Sequence, residues 1–183
     1  RATALRLARD GAQLALSGRD REALEAVAKE SRALSGRDVF FHAVDLAAAD
    51  GPLELYARVK EALGAPDVLV NNAGYNSRKA FLWEVDAEEF DAIVAVNLRA
   101  PFLLTREALR DMLEKKAGHI VNVLSTVCHY ANETMGAYTA AKRGLDGLTA
   151  VLLKEARPHG IRVSAVYPGG TDTEFRAKRR PDY

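Results

Sequence analysis

Apolar positions fall into two rhythms along the chain: short unbroken runs, and stripes at helical spacing. Leu5, Ala8 and Ala12 share a helical face over Thr3–Arg9, and Gly11 suits the left-handed residue that ends a helix. Gln13–Ser17 is an apolar run that predicts a strand, Gly18-Arg19-Asp20 a turn, and Asp20 a cap for a helix over Arg21–Leu34. A second strand is expected over Asp38–Val44, ending at Asp45-Leu46. Asp50-Gly51-Pro52 opens a helix striped by Leu53, Tyr56, Val59 and Leu63, and Gly64-Ala65-Pro66 stops it. The wholly apolar Asp67–Val70 run leads straight into Asn71-Asn72-Ala73-Gly74. From Asp86 the helical rhythm returns, with a kink or break predicted at Pro101 before a helix over Phe102–Lys115. His119–Leu124 then reads as a buried strand, Ala137–Glu155 as a long helix, and Ile161–Val166 as a last strand before Tyr167-Pro168-Gly169-Gly170. Strands that alternate with helices and are apolar on both faces predict an α/β fold, with a parallel sheet covered on each side. No repeat or linker interrupts the pattern, so residues 1–183 are expected to form one domain.

Composition narrows the classes. The chain is 48% apolar and 28% charged, with a net charge of +1, as in an ordinary soluble globular protein. No basic stripe points to nucleic acid, and the short Arg176–Arg180 run reads as a solvated end. No apolar run reaches the roughly 18 residues of a membrane span, and Arg1-Ala2-Thr3 does not read as a signal peptide. The lone Cys128 cannot form an internal disulfide, which suits a reducing, cytoplasmic setting, and it reads as a packing residue.

The chemistry concentrates between Ser125 and Lys142. Tyr138 and Lys142 are four residues apart, so in a helix they lie on one face. An ammonium one turn from a phenol favours the phenolate, making the tyrosine a usable proton donor and acceptor near neutral pH. Ser125 ends a predicted strand just upstream. A serine there and a tyrosine early in the next helix converge at the strand ends where open α/β sheets bind ligands. Taken alone, Tyr-x-x-x-Lys also fits an exposed lysine beside a half-buried tyrosine on an amphipathic helix.

Together these marks make the chain resemble the short-chain dehydrogenase/reductase family over nearly its whole length. They are Asn71-Asn72-Ala73-Gly74 after a strand, Asn97, Ser125, Tyr138 with Lys142, and Pro168-Gly169 with Thr173. The resemblance implies a doubly wound, Rossmann-like parallel sheet and hydride transfer between a nicotinamide cofactor and a carbonyl or secondary alcohol. Tyr138 is then the general acid/base, Ser125 hydrogen-bonds the reacting oxygen, Lys142 holds the nicotinamide ribose and lowers the Tyr138 pKa as a permanent cation, and Asn97 positions a water linking Lys142 to solvent. Asp45, Leu46, Asn72, Ala73, Gly74, Pro168, Gly169 and Thr173 are implied as further cofactor-binding positions, with Asp45 at the adenine. Asn71 and Asn72 also suit plain turn formation.

An NAD enzyme of this fold places a carboxylate at the ribose 2′-hydroxyl. Ser17-Gly18-Arg19 has none there, and Arg19 can pair with a 2′-phosphate, so NADP(H) is expected over NAD(H). The family's first strand and Gly-x-x-x-Gly-x-Gly turn, whose N–H groups hold the pyrophosphate, have no counterpart in these 183 residues. The expectation is a reductase continuing beyond both ends. The other readings are an epimerase-type relative acting on a nucleotide sugar, and a non-catalytic binding or assembly module. No metal site is expected. A homodimer or homotetramer through Phe102–Lys115 and Ala137–Glu155 is implied. Asn76, Arg78, Trp83, Cys128, His129 and Tyr130 are candidates for the substrate pocket.

Overall fold

The structure, a computed structural model, describes residues 1–76 and 80–171; Thr173 and Arg78 lie outside them. It comprises two compact units, the first ending at Pro66 and the second beginning at Asp67.

In the first unit the order is α1 (Ala2–Arg9), β1 (Leu14–Gly18), α2 (Arg21–Ser35), β2 (Val39–Ala43) and α3 (Gly51–Leu63). The Asp20 carboxylate accepts from the Ala23 N–H at 2.9 Å and starts α2. Gly36, at φ +67°, ends it in the left-handed conformation that glycine adopts without strain. β1 and β2 pair in parallel, Leu14 opposite Val39 through Gly18 opposite Ala43. The core is Ala8, Leu14, Ala28 and Val39, with Leu16 and Phe41 packed against it. At the start of α3 the chain passes so close to the Asp45 carbonyl that a Cβ on Gly51 would collide with it; only glycine fits there.

The second unit holds β3 (Val68–Asn71), α4 (Ala87–Val94), a π-helical turn (Ala95–Arg99), α5 (Ala100–Lys115), β4 (Gly118–Val123), α6 (Gly136–Ala156) and β5 (Ile161–Val166). Its three strands are parallel in the order β3-β4-β5. Among the described residues the strands form two parallel ladders with helices between them, as the α/β reading expects.

The kink or break expected at Pro101 takes the form of a π turn in one continuous helical path. Proline lacks the N–H that an α-helix would send to the carbonyl of residue 97, and its ring would crowd that carbonyl. The turn opens to π spacing, and the Ala100 N–H reaches the Ala95 carbonyl. Such turns recur at functional sites.

Asn71, which suits both turn formation and support of the central strands, is the buried last residue of β3. Its Nδ2 donates to Asn122 Oδ1 at 2.8 Å and to Thr105 Oγ1 at 3.1 Å. Asn122 Nδ2 donates to Thr149 Oγ1 at 2.8 Å, and that hydroxyl donates to the Leu145 carbonyl at 2.6 Å. This buried polar chain ties β3 and β4 to α5 and α6. Such polar groups are tolerated inside because they are paired; Asn71 Oδ1 is an exception, with no partner among the described residues.

Candidate active site

Ser125, Tyr138 and Lys142 are held by two neighbouring parts of the second unit, the end of β4 and the first turns of α6. Ser125 follows β4 in extended backbone and caps the short 3-10 turn Thr126–Cys128, its hydroxyl accepting from the Val127 N–H at 3.3 Å. Val127 packs in one buried cluster with Tyr138, Ala137, Ala141 and Ile93. The turn after Ser125 therefore lies against the first turns of α6. The small buried residues Ala137 and Ala141 leave room for that approach.

Tyr138 is 7% exposed and Lys142 3% exposed. The Lys142 ammonium lies 5.8 Å from the centre of the Tyr138 ring, as the i, i+4 spacing requires. It donates to the Val123 carbonyl at 2.8 Å, two residues before Ser125. One lysine thus links the tyrosine's helix to the serine's strand. Burial pushes its pKa down from 10.5 to about 8, with a small opposing contribution from Cys128. A buried ammonium with one carbonyl partner among the described residues has lost most of its hydration, which disfavours its charged form.

Asn97 is fully buried in the π turn. Its Nδ2 donates to the Tyr75 carbonyl at 2.6 Å and to the Ile93 carbonyl at 2.8 Å, and its Oδ1 accepts from the Tyr75 N–H at 3.3 Å. The side chain is spent on fixing the backbone just past Asn72-Ala73-Gly74, which are exposed and outside regular structure. Pro168 and Gly169 follow β5 by way of Tyr167, and the Pro168 carbonyl accepts from the Thr126 N–H at 3.1 Å. A Cβ on Gly169 would come no nearer than 3.8 Å to Thr126, so backbone there is open to close approach.

In the first unit Arg19 is exposed at the end of β1, with no acidic partner among the described residues. Asp45 is exposed and closes a local turn, its Oδ1 accepting from the Ala47 N–H at 2.9 Å, while Leu46 is buried. Of the pocket candidates, Trp83 is 80% and Tyr130 66% exposed, and Trp83 stacks on Phe81 at 4.8 Å. The Cys128 thiol is pushed up by burial, which suits packing and opposes a nucleophilic role.

The donor set suits a dinucleotide. An ammonium has three N–H donors, and one is used on Val123; the others match ribose hydroxyls. Within the same unit the exposed 72–74 loop offers backbone groups. No group of three or more His, Cys, Asp or Glu that could hold a metal occurs among the described residues, and no described helix is long and apolar enough to cross a membrane.

A strand-end serine, a Tyr–Lys pair on the next helix and alternating parallel strands define a nicotinamide-dependent oxidoreductase class, and comparison with known proteins agrees. The profile of the family described as short chain dehydrogenase matches residues 1–183, and the chain belongs to that NAD(P)-dependent oxidoreductase family. It is 35% identical to a 3-oxoacyl-[acyl-carrier-protein] reductase of Thermotoga maritima, over 97% of this chain and 72% of that protein. A metagenomic short-chain oxidoreductase solved with NADP superposes with a TM-score of 0.87 at 40% identity, over 93% of this chain and 76% of that one. NAD+-bound xylitol dehydrogenase superposes with a TM-score of 0.88 at 29% identity, over 97% and 68%.

Proposed function

We propose that the protein is an NADP(H)-dependent carbonyl reductase or secondary-alcohol dehydrogenase, folded as one Rossmann-like domain, with Tyr138 as general acid/base. The observation that carries this is the placement of Lys142: buried, beside the Tyr138 ring, and bonded to the backbone two residues before Ser125. A lysine is buried at such cost only where its charge has a use. When bound, the nicotinamide supplies a hydride to the carbonyl carbon, or accepts one from the alcohol. The chain's own residues handle the oxygen and the proton. Ser125 donates a hydrogen bond to the substrate oxygen and stabilises the charge developing on it. Tyr138 gives that oxygen its proton in reduction and takes it back in oxidation. The Lys142 cation favours the phenolate and holds the ribose hydroxyls. Asn97 positions the water that links Lys142 to solvent, and its fully paired side chain keeps the π turn in place for this role.

Arg19, Asp45 and Leu46 of the first unit, and Asn72, Ala73, Gly74, Pro168, Gly169 and Thr173 of the second, are proposed as the remaining cofactor contacts. NADP(H) is favoured because the one carboxylate beside Arg19, that of Asp20, is committed to capping α2. Solved relatives carry either cofactor: the metagenomic oxidoreductase holds NADP and xylitol dehydrogenase holds NAD+. Titrating the intact protein with NADPH and NADH by nicotinamide fluorescence, then assaying carbonyl reduction, tests the reading. Arg19→Asp is expected to weaken NADPH binding by about tenfold or more and to improve NADH, the loss of a charge-assisted phosphate contact being worth roughly 1.5–3 kcal/mol. Unchanged preference would remove Arg19 from the cofactor site.

Association through α5 and α6 is part of the same proposal, with a second copy as partner. Phe102 and Leu113 on α5, and Leu148 and Val151 on α6, are between 42% and 53% exposed, and Gly147 has open space where a Cβ would stand. Apolar faces interrupted by small residues suit close helix pairing between copies. Sedimentation of the intact protein at micromolar concentration is expected to show a dimer or tetramer; a monomer would end this part of the proposal.

A further inference from the structure

One hydrogen-bonded pair beside the site has no role in the chemistry above. Tyr167 stands between β5 and the Pro168-Gly169 turn. Its Oη donates to Asp146 Oδ1 at 2.7 Å. Asp146 lies on α6 one turn past Lys142. The half-buried Tyr167 ring is backed by His129, with ring centres 4.7 Å apart.

Three parts of the second unit meet here. The β4 end carries Ser125, α6 carries Tyr138 and Lys142, and the β5 end carries Pro168-Gly169. The first is tied to the second by Lys142 to the Val123 carbonyl, and by Arg143 Nε to the Val127 carbonyl at 3.4 Å. The first is tied to the third by the Leu124 N–H to the Val166 carbonyl at 2.8 Å and the Thr126 N–H to the Pro168 carbonyl at 3.1 Å. Tyr167 to Asp146 closes the triangle by joining the third part directly to α6.

We propose that the Tyr167–Asp146 hydrogen bond is a latch that fixes the Pro168-Gly169 turn relative to Tyr138 and Lys142, and so sets the affinity for the nicotinamide end of the cofactor. Both are positioning residues. The inference rests on the NADP(H) reductase reading above. A phenol donating to a carboxylate is a charge-assisted bond, shorter and stronger than a neutral one, and tyrosine presents its hydroxyl on a stem with few rotatable bonds. The hydrogen bond to Asp146, aided by burial, pushes the Tyr167 pKa up to about 12. The phenol therefore remains a donor throughout any pH range in which the enzyme works.

Steady-state kinetics and NADPH titration of the intact enzyme test this with Tyr167→Phe, Asp146→Ala, Asp146→Asn and the Phe/Ala double variant. Tyr167→Phe and Asp146→Ala are each expected to raise the NADPH Kd and KM about tenfold, the size set by one charge-assisted bond. At saturating NADPH kcat should stay within about threefold of the wild type, since neither group touches reacting atoms. The double variant should be no worse than either single one, because both remove one interaction. Asp146→Asn, which still accepts from the phenol, should recover most of the affinity. If the variants lose thermal stability but keep wild-type KM for NADPH, or if the single effects add, the latch is overturned. Should Asp146→Ala fail to fold, Tyr167→Phe and Asp146→Asn decide the matter between them. A wild type that binds no NADPH and reduces no carbonyl would overturn the reductase reading itself, an outcome read before any variant is compared.

Discussion

Tyr138→Phe is expected to cut turnover by about 10²–10⁴-fold while the dissociation constant for NADPH stays within about twofold. Tyr138 is buried in a cluster with Ile93, Val127, Ala137 and Ala141, and Phe keeps the ring that fills this space, so the helix and the turn after Ser125 should keep their places. What is lost is the titratable oxygen. Without it the substrate oxygen has no proton donor at the moment negative charge accumulates on it. Ser125 still hydrogen-bonds that oxygen but cannot discharge it, which leaves a residual rate above the uncatalysed one. Steady-state turnover, NADPH fluorescence titration and thermal unfolding together check this. Wild-type turnover in the Phe variant would remove Tyr138 from the chemistry; loss of binding and turnover together would show a packing defect.

Much of the geometry of the candidate site was legible in the sequence because its parts are local. Tyr138 and Lys142 face one way through helical spacing alone, and β4 is visible as an apolar run ending at Ser125. The strand and helix positions follow for the same reason, since Asp20 and Asp86 cap the helices they precede. What escaped depends on distant pairing. Asn71 looks like a turn residue in a string of turn formers, and only its partners Asn122, Thr105 and Thr149, remote in sequence, show it to be a strand residue in a buried polar chain. Their common signal is an amide or hydroxyl at an inward position of an apolar element. The Tyr167–Asp146 bond joins residues whose meeting is set by how β5 lies on α6. At Pro101 the sequence marks the irregularity but not its form, because a proline's missing donor can be absorbed by widening the turn as well as by breaking it.

Lys142 carries the second large prediction, and its sign follows from its burial. The ammonium is depressed from 10.5 to about 8. Below pH 8 it is charged in both folded and unfolded chains, and the folded state bears the desolvation cost. Between pH 8 and 10.5 the folded state has released the proton and the unfolded state has kept it, so stability from this group rises with pH across that window. The gap corresponds to roughly 3 kcal/mol. Lys142→Met removes the titration and keeps most of the stem's volume. Its absolute stability also reflects the Val123 carbonyl left without its donor, so the informative quantity is the difference in unfolding free energy between wild type and variant as a function of pH. That difference should move in favour of the wild type by about 3 kcal/mol between pH 7 and 10.5, whereas parallel curves would mean that the lysine is not desolvated. Reductase activity should run the opposite way. Carbonyl reduction that needs the Lys142 cation is present at pH 7 and falls as pH rises through about 8, and the Met variant should be at least about a hundredfold slower at pH 7. The pH range in which the lysine serves catalysis is thus the range in which it costs the fold most, the exchange expected of a charge placed for function.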